Sequence, residues 1–233
     1  MKVDELKVYR GLIDNRTLMT LYSLFNKGII SEIIGIIKEG KESGIFLGKD
    51  KNGDKIAIKV YRTVASDFKK MWKYLIADNR FSKIRKDKTS IIYSWCLREF
   101  RNLSICFNNG VSCPKPIYAK NNVLLMSFIG DDNPAGRMID TLVGKKEYDF
   151  IIKQIAKIAK SGIVHGDLSP YNILMHKKPV IIDFSHGTSI KSIFADEMLK
   201  KDIQNINSYF NKLGTSTVDT DRVYEKIITK VKK

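Results

Sequence analysis

Three polar residues surround a short predicted hairpin in the last third of the chain, and their spacing restricts the fold more than any other feature. Asn172 follows Asp167 by five residues, and Asp183 comes directly after a short apolar segment. Segments 173–175 and 180–182 read as two strands, with Asn172 at one end of the hairpin and Asp183 at the other. A carboxylate directly after a buried strand is costly unless it is paired or metal-bound. The pattern therefore predicts a fold that brings the three side chains together.

These three residues are of the types that phosphoryl transfer from a nucleotide requires. Asp167 is assigned as the carboxylate that accepts the proton of the attacking hydroxyl, while Asn172 and Asp183 hold Mg²⁺ against the phosphates. Magnesium prefers hard oxygen ligands, which an amide carbonyl and a carboxylate supply. Asp167 taken alone would be an ordinary turn residue. Only the three residues together predict a magnesium–phosphate site.

A lysine in an upstream strand is the fourth candidate. Lys59 lies at the centre of an alternating strand, on the face shared with a small side chain and an aromatic ring. An exposed sheet face would explain this placement equally simply. If Lys59 instead points inward it needs a counter-charge, and Glu99 on the predicted helix 91–108 is the candidate. Arg98 and Arg101 on the same helix are expected to face solvent or acidic partners.

The segment between the first two predicted strands is a weaker signal for phosphate binding. It reads Glu39-Gly-Lys-Glu-Ser-Gly44, so the candidate residues are Gly40, Lys41 and Ser43. Glycines at positions 40 and 44 would let the backbone approach a phosphate closely. The segment matches neither G-x-G-x-x-G nor a P-loop, and in isolation it would be an ordinary hairpin turn. Its position just upstream of Lys59 is what makes it a candidate, because Lys59, Asp167, Asn172 and Asp183 already form four parts in the order found in kinases.

The rest of the chain shows the helix and strand signals of an α+β protein. Helices are predicted over 16–27, 91–108, around 150–159 and through the final fifty residues, and strands over 33–38, 45–48, 55–61 and 123–128. We expect a two-lobed protein-kinase-like fold, with an antiparallel N-lobe sheet and a truncated, mostly helical C-lobe. The expected domains are an N-terminal helical extension at 1–30, an N-lobe at 31–129 with a flexible basic insert at about 63–90, and a C-lobe at 130–233.

The formal net charge of +16 predicts affinity for a polyanion, which could be nucleic acid, nucleotide phosphates or an acidic membrane surface. Part of this excess is also explained by solvated lysine. Basic residues alternate with aromatic ones in the insert at about 63–90, a texture that suits RNA contact. A solvated helix with buried aromatic rings explains the same pattern.

The cysteines and the lack of long apolar segments indicate where in the cell the protein is found. Cys96, Cys106 and Cys113 form no C-x-x-C pair and show no zinc spacing with the histidines, so they read as reduced intracellular thiols. The amino terminus lacks an apolar signal region, and no run of 18 apolar residues occurs. We expect a soluble, cytoplasmic protein with no membrane partner.

Several stretches together resemble the RIO family of atypical serine/threonine protein kinases, in the archaeal-like branch without a winged-helix N-terminal domain. They are Asp14–Tyr22, Gly40–Glu42, Ala57–Arg62, Leu97–Leu103, Val111–Ile117 and the two runs that carry Asp167 and Asp183. The loop differs from the family pattern Ser-Thr-Gly-Lys-Glu-Ala-Asn, because Lys38-Glu39 precede the glycine and Ser43-Gly44 follow the glutamate. Glu39 near phosphates is unfavourable by charge.

The resemblance implies ATP as substrate and Mg²⁺, with Mn²⁺ as an alternative, as the metal. It implies that Lys59 contacts phosphate, that Asp167 is the base, that Asn172 and Asp183 bind metal, and that Asp183 carries a phospho-aspartate intermediate. Backbone groups of Ser127 and Ile129 would bind adenine behind Met126 as gatekeeper. It further implies an ATPase or kinase that acts in small ribosomal subunit maturation, bound to pre-ribosomal particles or rRNA. Autophosphorylation is expected in the insert, with Ser82, Thr89 and Ser90 as candidates.

Other functions fit part of the pattern. A small-molecule kinase of the aminoglycoside type, or the small kinase of a tRNA-modification complex, can carry His-Gly-Asp followed by Asn five residues on. A ribosome-docking pseudokinase is the non-enzyme alternative. About fifty residues follow Asp183, without a later Ala-Pro-Glu element, so recognition of an extended peptide substrate is not expected.

Overall fold

The computed structural model describes residues 12–63, 67–81 and 84–231. The chain divides into two compact units. The first comprises Met1–Phe100 and Lys115–Phe128, and the second comprises Arg101–Pro114 and Ile129–Lys233. The candidate phosphorylation site Ser82 and residues 1–11 of the predicted N-terminal extension lie outside the described residues.

The first unit begins with the helix α1, Asn15–Asn26. Asp14 caps it, since its side chain accepts a hydrogen bond from the Thr17 N–H over 2.7 Å. The apolar stripe of α1 includes the fully buried Leu21 and Leu24, which pack against one face of the sheet. The helix predicted over 16–27 is confirmed.

Five antiparallel strands form the sheet of the first unit. They are β1 Glu32–Glu39, β2 Ser43–Lys49, β3 Lys55–Tyr61, β4 Pro116–Lys120 and β5 Val123–Ser127, in the order β1-β2-β3-β5-β4. The sequence predicted four of them and missed β4, because its prolines read as interruptions. Pro116 is tolerated because it begins an edge strand, where the missing N–H removes no central ladder bond.

The basic insert contains a helix, α2, Phe68–Ile76, and a short 3₁₀ turn, Asn79–Phe81. Met71 and Leu75 are buried on one side of α2, while its lysines are exposed. The next helix, α3, spans Lys88–Asn108 and so begins three residues before the predicted start at 91.

Arg98 on α3 corrects one expectation. Its side chain is fully buried beside a carboxylate, so of the two environments expected for it solvent is wrong and an acidic partner is right. Its carboxylate partner comes from the insert, since Nε lies 3.6 Å from the side chain of Asp78.

The second unit is built mainly from helices. These are α4 Lys145–Lys160, α5 Ala195–Lys212 and α6 Thr220–Val231. Short strands accompany them: β6 Gly136–Arg137, β7 Ile163–Val164, β8 Ile173–His176, β9 Lys178–Ile181 and β10 Thr188–Ser189. The predicted hairpin is β8 and β9, which pair antiparallel with Ile173 opposite Ile181. In the described parts of the chain, no helix is long and apolar enough to cross a bilayer.

Candidate active site

Asp167 lies exposed on the loop after β7, and the backbone around it is tightly fixed. Gly166 has φ 80°, and a Cβ built there would lie 2.1 Å from the Met198 side chain and 3.1 Å from the His186 carbonyl oxygen. Only glycine satisfies both the conformation and the space. The loop can therefore present Asp167 in one orientation.

A buried carboxylate on α5 holds this loop from beneath. The Asp202 side chain accepts hydrogen bonds from the N–H groups of Gly166 and Leu168, each over 2.8 Å. Burial raises the pKa of Asp202 to about 7, although these two amide bonds act in the opposite direction. Asn205 adds a third contact by donating to the Leu168 carbonyl over 3.0 Å. The two residues that flank Asp167 are thus anchored to one helix.

Asp202 was missed from the sequence, although a signal was available. It lies on the buried face of α5, in register with Leu199, Ile203 and Ile206. A charged residue on an apolar stripe is rarely buried without a partner, which marks it as a positioning or functional group.

Asn172 is joined directly to Asp167. Its Nδ2 donates to the Asp167 carbonyl over 2.8 Å and to the Asp167 carboxylate over 3.2 Å. With Nδ2 in these bonds, Oδ1 is the atom that can serve as a metal ligand. The Asn172 carbonyl also accepts from the Ile182 N–H over 2.9 Å, which fixes Asn172 to the strand end that precedes Asp183.

Asp183 stands at a backbone position that an aspartate seldom adopts. Its φ is 64° and its ψ is 69°, in the left-handed region. Its Oδ1 accepts a hydrogen bond from the Ser185 hydroxyl over 2.7 Å. Strained residues of this kind cluster at functional sites when their surroundings hold them in place.

Asn102 supplies part of that support and was also missed from the sequence. It is fully buried, and its Nδ2 donates to the carbonyls of Phe184 and Gly187 over 3.0 and 2.7 Å. A Cβ at Gly187 would lie 2.7 Å from the same Nδ2. The buried Asn102 side chain therefore fixes the conformation of the turn that follows Asp183.

The donor set in this unit fits magnesium. Asn172 precedes β8 and Asp183 follows β9, and the pairing of Ile173 with Ile181 sets these two ends side by side. They offer an amide carbonyl and a carboxylate, which are hard oxygen ligands, with Asp167 hydrogen-bonded to Asn172.

In the first unit, the ion pair expected for Lys59 is present. Its Nζ lies 2.9 Å from a carboxylate oxygen of Glu99, and the two side chains are 5% and 1% exposed. The Tyr61 hydroxyl donates to the other oxygen of Glu99. The exposed-face alternative for Lys59 is therefore wrong. A charge pair this deeply buried requires good geometry, because desolvation of both ions opposes it.

The candidate phosphate loop is the β1–β2 turn. The Gly40 N–H donates to the Ser43 carbonyl over 2.9 Å. A cavity beside it is lined by Glu39, Gly40, Lys41 and Arg62. At position 44 the space that a Cβ would need is filled by the Leu12 side chain, 2.3 Å away, so this glycine serves packing.

The segment expected to contact adenine lies at the end of β5. Met126 is buried and pairs with Ala57 of β3. The Ser127 N–H donates to the Lys115 carbonyl over 2.8 Å, and the Ile129 carbonyl accepts from the Ala135 N–H over 3.0 Å. These two bonds engage the Ser127 N–H and the Ile129 carbonyl.

An antiparallel five-stranded sheet, a buried Lys–Glu pair and an aspartate loop followed by a hairpin define an α+β protein with a protein-kinase-like fold. Two Rio2 kinase structures from Chaetomium thermophilum show the same fold. One, a complex with ADP/Mg²⁺ and phosphoaspartate, aligns with a TM-score of 0.68 and 21% identity over 89% of this chain and 65% of that chain. The other aligns with a TM-score of 0.62 and 18% identity over 96% of this chain and 82% of that chain.

The sequence comparisons give the family. The RIO domain model matches residues 44–223. The RIO-type serine/threonine-protein kinase Rio1 of Haloferax volcanii is 34% identical over 95% of this chain and 78% of its own length. That of Methanocaldococcus jannaschii is 37% identical over 90% of this chain and 73% of its own. The chain spans 46% of the Chaetomium thermophilum RIO1. This chain belongs to the RIO family of serine/threonine-protein kinases.

Proposed function

We propose that the chain uses ATP and Mg²⁺ to transfer a phosphoryl group, as a serine/threonine kinase or as an ATPase. The observation that carries this proposal is that Asn172 is hydrogen-bonded through its side chain to Asp167 and through its backbone carbonyl to Ile182, the residue before Asp183. Asp167 is the base, because it is exposed and its backbone is fixed on both sides by Asp202. Asn172 contributes Oδ1 to the metal and orients the Asp167 carboxylate through Nδ2.

Asp183 has two roles in the proposal. Its carboxylate would hold Mg²⁺, or Mn²⁺ as an alternative, which when bound would neutralise charge on the phosphates. The Rio2 kinase structure with ADP/Mg²⁺ is a phosphoaspartate complex. By analogy, a carboxylate oxygen of Asp183 attacks the γ-phosphorus, ADP leaves, and water or a hydroxyl substrate then takes the phosphoryl group from the acyl phosphate.

In this proposal the nucleotide contacts come from β3, from the β1–β2 turn and from the chain at the end of β5. Lys59, held by Glu99, binds the α- and β-phosphates, and the loop residues Gly40, Lys41 and Ser43 bind the phosphates from the β1–β2 turn. Backbone groups of Ser127 and Ile129 bind adenine, with Met126 as gatekeeper.

The test is ATP turnover by Asp183→Ala. Labelled ATP and Mg²⁺ are incubated with each protein, and label on protein is compared with free phosphate. Loss of one metal ligand and of the acceptor carboxylate should lower both products by at least about a thousandfold. Asp149→Ala, which removes an exposed carboxylate 3.0 Å from Lys145, should behave as wild type. Wild-type turnover in Asp183→Ala would refute the assignment.

We further propose that the chain acts in the cytoplasm on the pre-ribosomal small subunit and contacts rRNA. The net charge of +16 supports an RNA partner. The exposed lysines of α2 and of residues 86–88 provide a basic surface, with Lys86 5.9 Å from the centre of the Trp72 ring and Lys88 5.3 Å from that of Phe68.

Autophosphorylation in the insert is part of the same proposal. The Thr89 hydroxyl accepts a hydrogen bond from Arg16 over 2.9 Å, and the Ser90 hydroxyl donates to Asp87 over 2.6 Å. A phosphate on Ser90 would face the Asp87 carboxylate, whereas one on Thr89 would face a guanidinium. Thr89 is therefore the favoured acceptor of these two.

A further inference from the structure

The turn between β1 and β2 is held at three points by one residue, Arg62, which directly follows β3. The Arg62 backbone N–H donates to the Glu42 carbonyl over 2.8 Å. Its side-chain Nε donates to the Gly40 carbonyl over 2.9 Å. Another guanidinium nitrogen pairs with the Glu39 carboxylate. Both sides of the turn are thus tied to the strand that carries Lys59.

The contact with Gly40 determines which way the loop presents its backbone. In a trans peptide the C=O and the following N–H point in opposite directions, and the described residues contain no cis peptide bond. When Arg62 holds the Gly40 carbonyl, the Lys41 N–H is directed away from the guanidinium. That N–H is the type of donor with which glycine-containing loops bind phosphate.

The ion pair with Glu39 has a different effect. The Arg62 side chain is 16% exposed and that of Glu39 is 59% exposed, so the pair itself adds little to stability. It does compensate the charge of Glu39, whose carboxylate would otherwise repel a nearby triphosphate. It also keeps the Arg62 guanidinium in contact with the turn, so that Arg62 stabilises the conformation of the turn.

We infer that Arg62 is a positioning residue for nucleotide phosphates, which acts through the Gly40–Lys41 peptide and not by contact with ATP. Glu39 is its counter-charge. This inference rests on the proposed function, because it takes the β1–β2 turn as the phosphate loop. Glu39, which makes this loop differ from the family pattern, therefore has a role as the counter-charge of Arg62.

The first experiment needs no nucleotide. Amide hydrogen exchange is measured over residues 39–44 in wild type, Arg62→Ala and Arg62→Lys. Lysine keeps the charge but lacks the planar fork that serves both the carbonyl and the carboxylate. Both variants should exchange about tenfold faster in this segment, as expected for the loss of a charge-assisted hydrogen bond. Lys49→Ala is the control, since it removes an exposed pair with Glu32 from the same two strands, and it should match wild type.

The second experiment measures ATP turnover with the same variants. Arg62→Ala and Arg62→Lys should each raise KM for ATP about tenfold and leave kcat within about twofold. Glu39→Gln should raise KM by about twofold, because the neutral amide holds the guanidinium less firmly. Lys49→Ala should leave both constants unchanged.

Several results would overturn the inference. If Arg62→Lys matched wild type while Arg62→Ala did not, charge alone would suffice and Arg62 would contact the nucleotide directly. A lower KM in Glu39→Gln would show that Glu39 acts only as a repulsive charge. Unchanged amide exchange over residues 39–44 in Arg62→Ala would show that Arg62 does not hold the β1–β2 turn in place. Absence of magnesium-dependent turnover in the wild type would refute the proposed function instead, and the exchange result would still decide the role of Arg62.

Discussion

Asp202 is the residue whose ionisation should couple the aspartate loop to pH near neutrality. Burial raises its pKa from 3.8 to about 7 in the folded chain. The folded state therefore holds a proton that the unfolded state releases, and the stability from this group is present at low pH and lost as pH rises from about 4 to about 7. Relative to Asp202→Asn, the wild-type free energy of unfolding should fall across this window by about 1 kcal/mol per pH unit or less.

Urea unfolding of both proteins at pH 5 and pH 7.5 measures this difference, because titrations shared by the two proteins cancel. A difference that stays constant between the two pH values would show that Asp202 does not titrate there. The same variant should lower kcat more than it raises KM, since the Gly166 and Leu168 amides orient Asp167 and make no nucleotide contact in the proposal.

The basic insert is the element whose structure differs most from its expected role as a flexible segment. It is joined to α3 through buried charges. The Asp78 carboxylate accepts two hydrogen bonds from the Arg80 guanidinium, over 2.6 and 2.9 Å. It also lies 3.6 Å from Nε of Arg98. Burial alone raises the pKa of Asp78, but the hydrogen bonds and charge of Arg80 outweigh it and hold that pKa below 3.8. Burial lowers the pKa of Arg98 to about 10. Arg98 precedes Glu99, so this network fixes the helix that carries the partner of Lys59.

Removal of the Asp78 charge should therefore be costly. Asp78→Asn leaves two arginines without their carboxylate and should lower the free energy of unfolding by about 3–5 kcal/mol. Urea unfolding with a constant m-value measures the loss, with Lys200→Ala as the control. Lys200 pairs with Asp221 at the surface over 2.7 Å, and its loss should leave the free energy of unfolding close to that of wild type. A cost for Asp78→Asn as small as that of the control would show that the network does not hold the insert.

Most helices and strands of both units could be predicted from the sequence, since their apolar residues repeat with clear periods. Lys59 and Asp183 were singled out for another reason: a lysine inside an apolar strand and an aspartate directly after one are locally anomalous. Asp202 and Asn102 were given no role, and the burial of Arg98 was missed, because their partners lie 20 to 85 residues away along the chain. The apolar stripe of α5 marks Asp202 as anomalous, but no local pattern identifies the residue that it contacts until the elements have packed.

At the scale of the whole molecule, the net charge of +16 predicts RNA binding that weakens steeply with salt. Between about 50 and 200 mM salt, affinity for single-stranded RNA should fall by roughly a thousandfold if several phosphates are neutralised.

The exposed lysines Lys69 and Lys73 on α2 allow a test of where RNA binds. Charge reversal of both should weaken binding and reduce the slope of log affinity against log salt by about 2. Reversal of Lys226 and Lys230, exposed on α6, changes the net charge equally and should leave the slope nearly unchanged. Equal losses in the two double variants would mean that total charge, and not the α2 surface, attracts RNA, whereas a flat salt response would remove the electrostatic basis for an RNA partner.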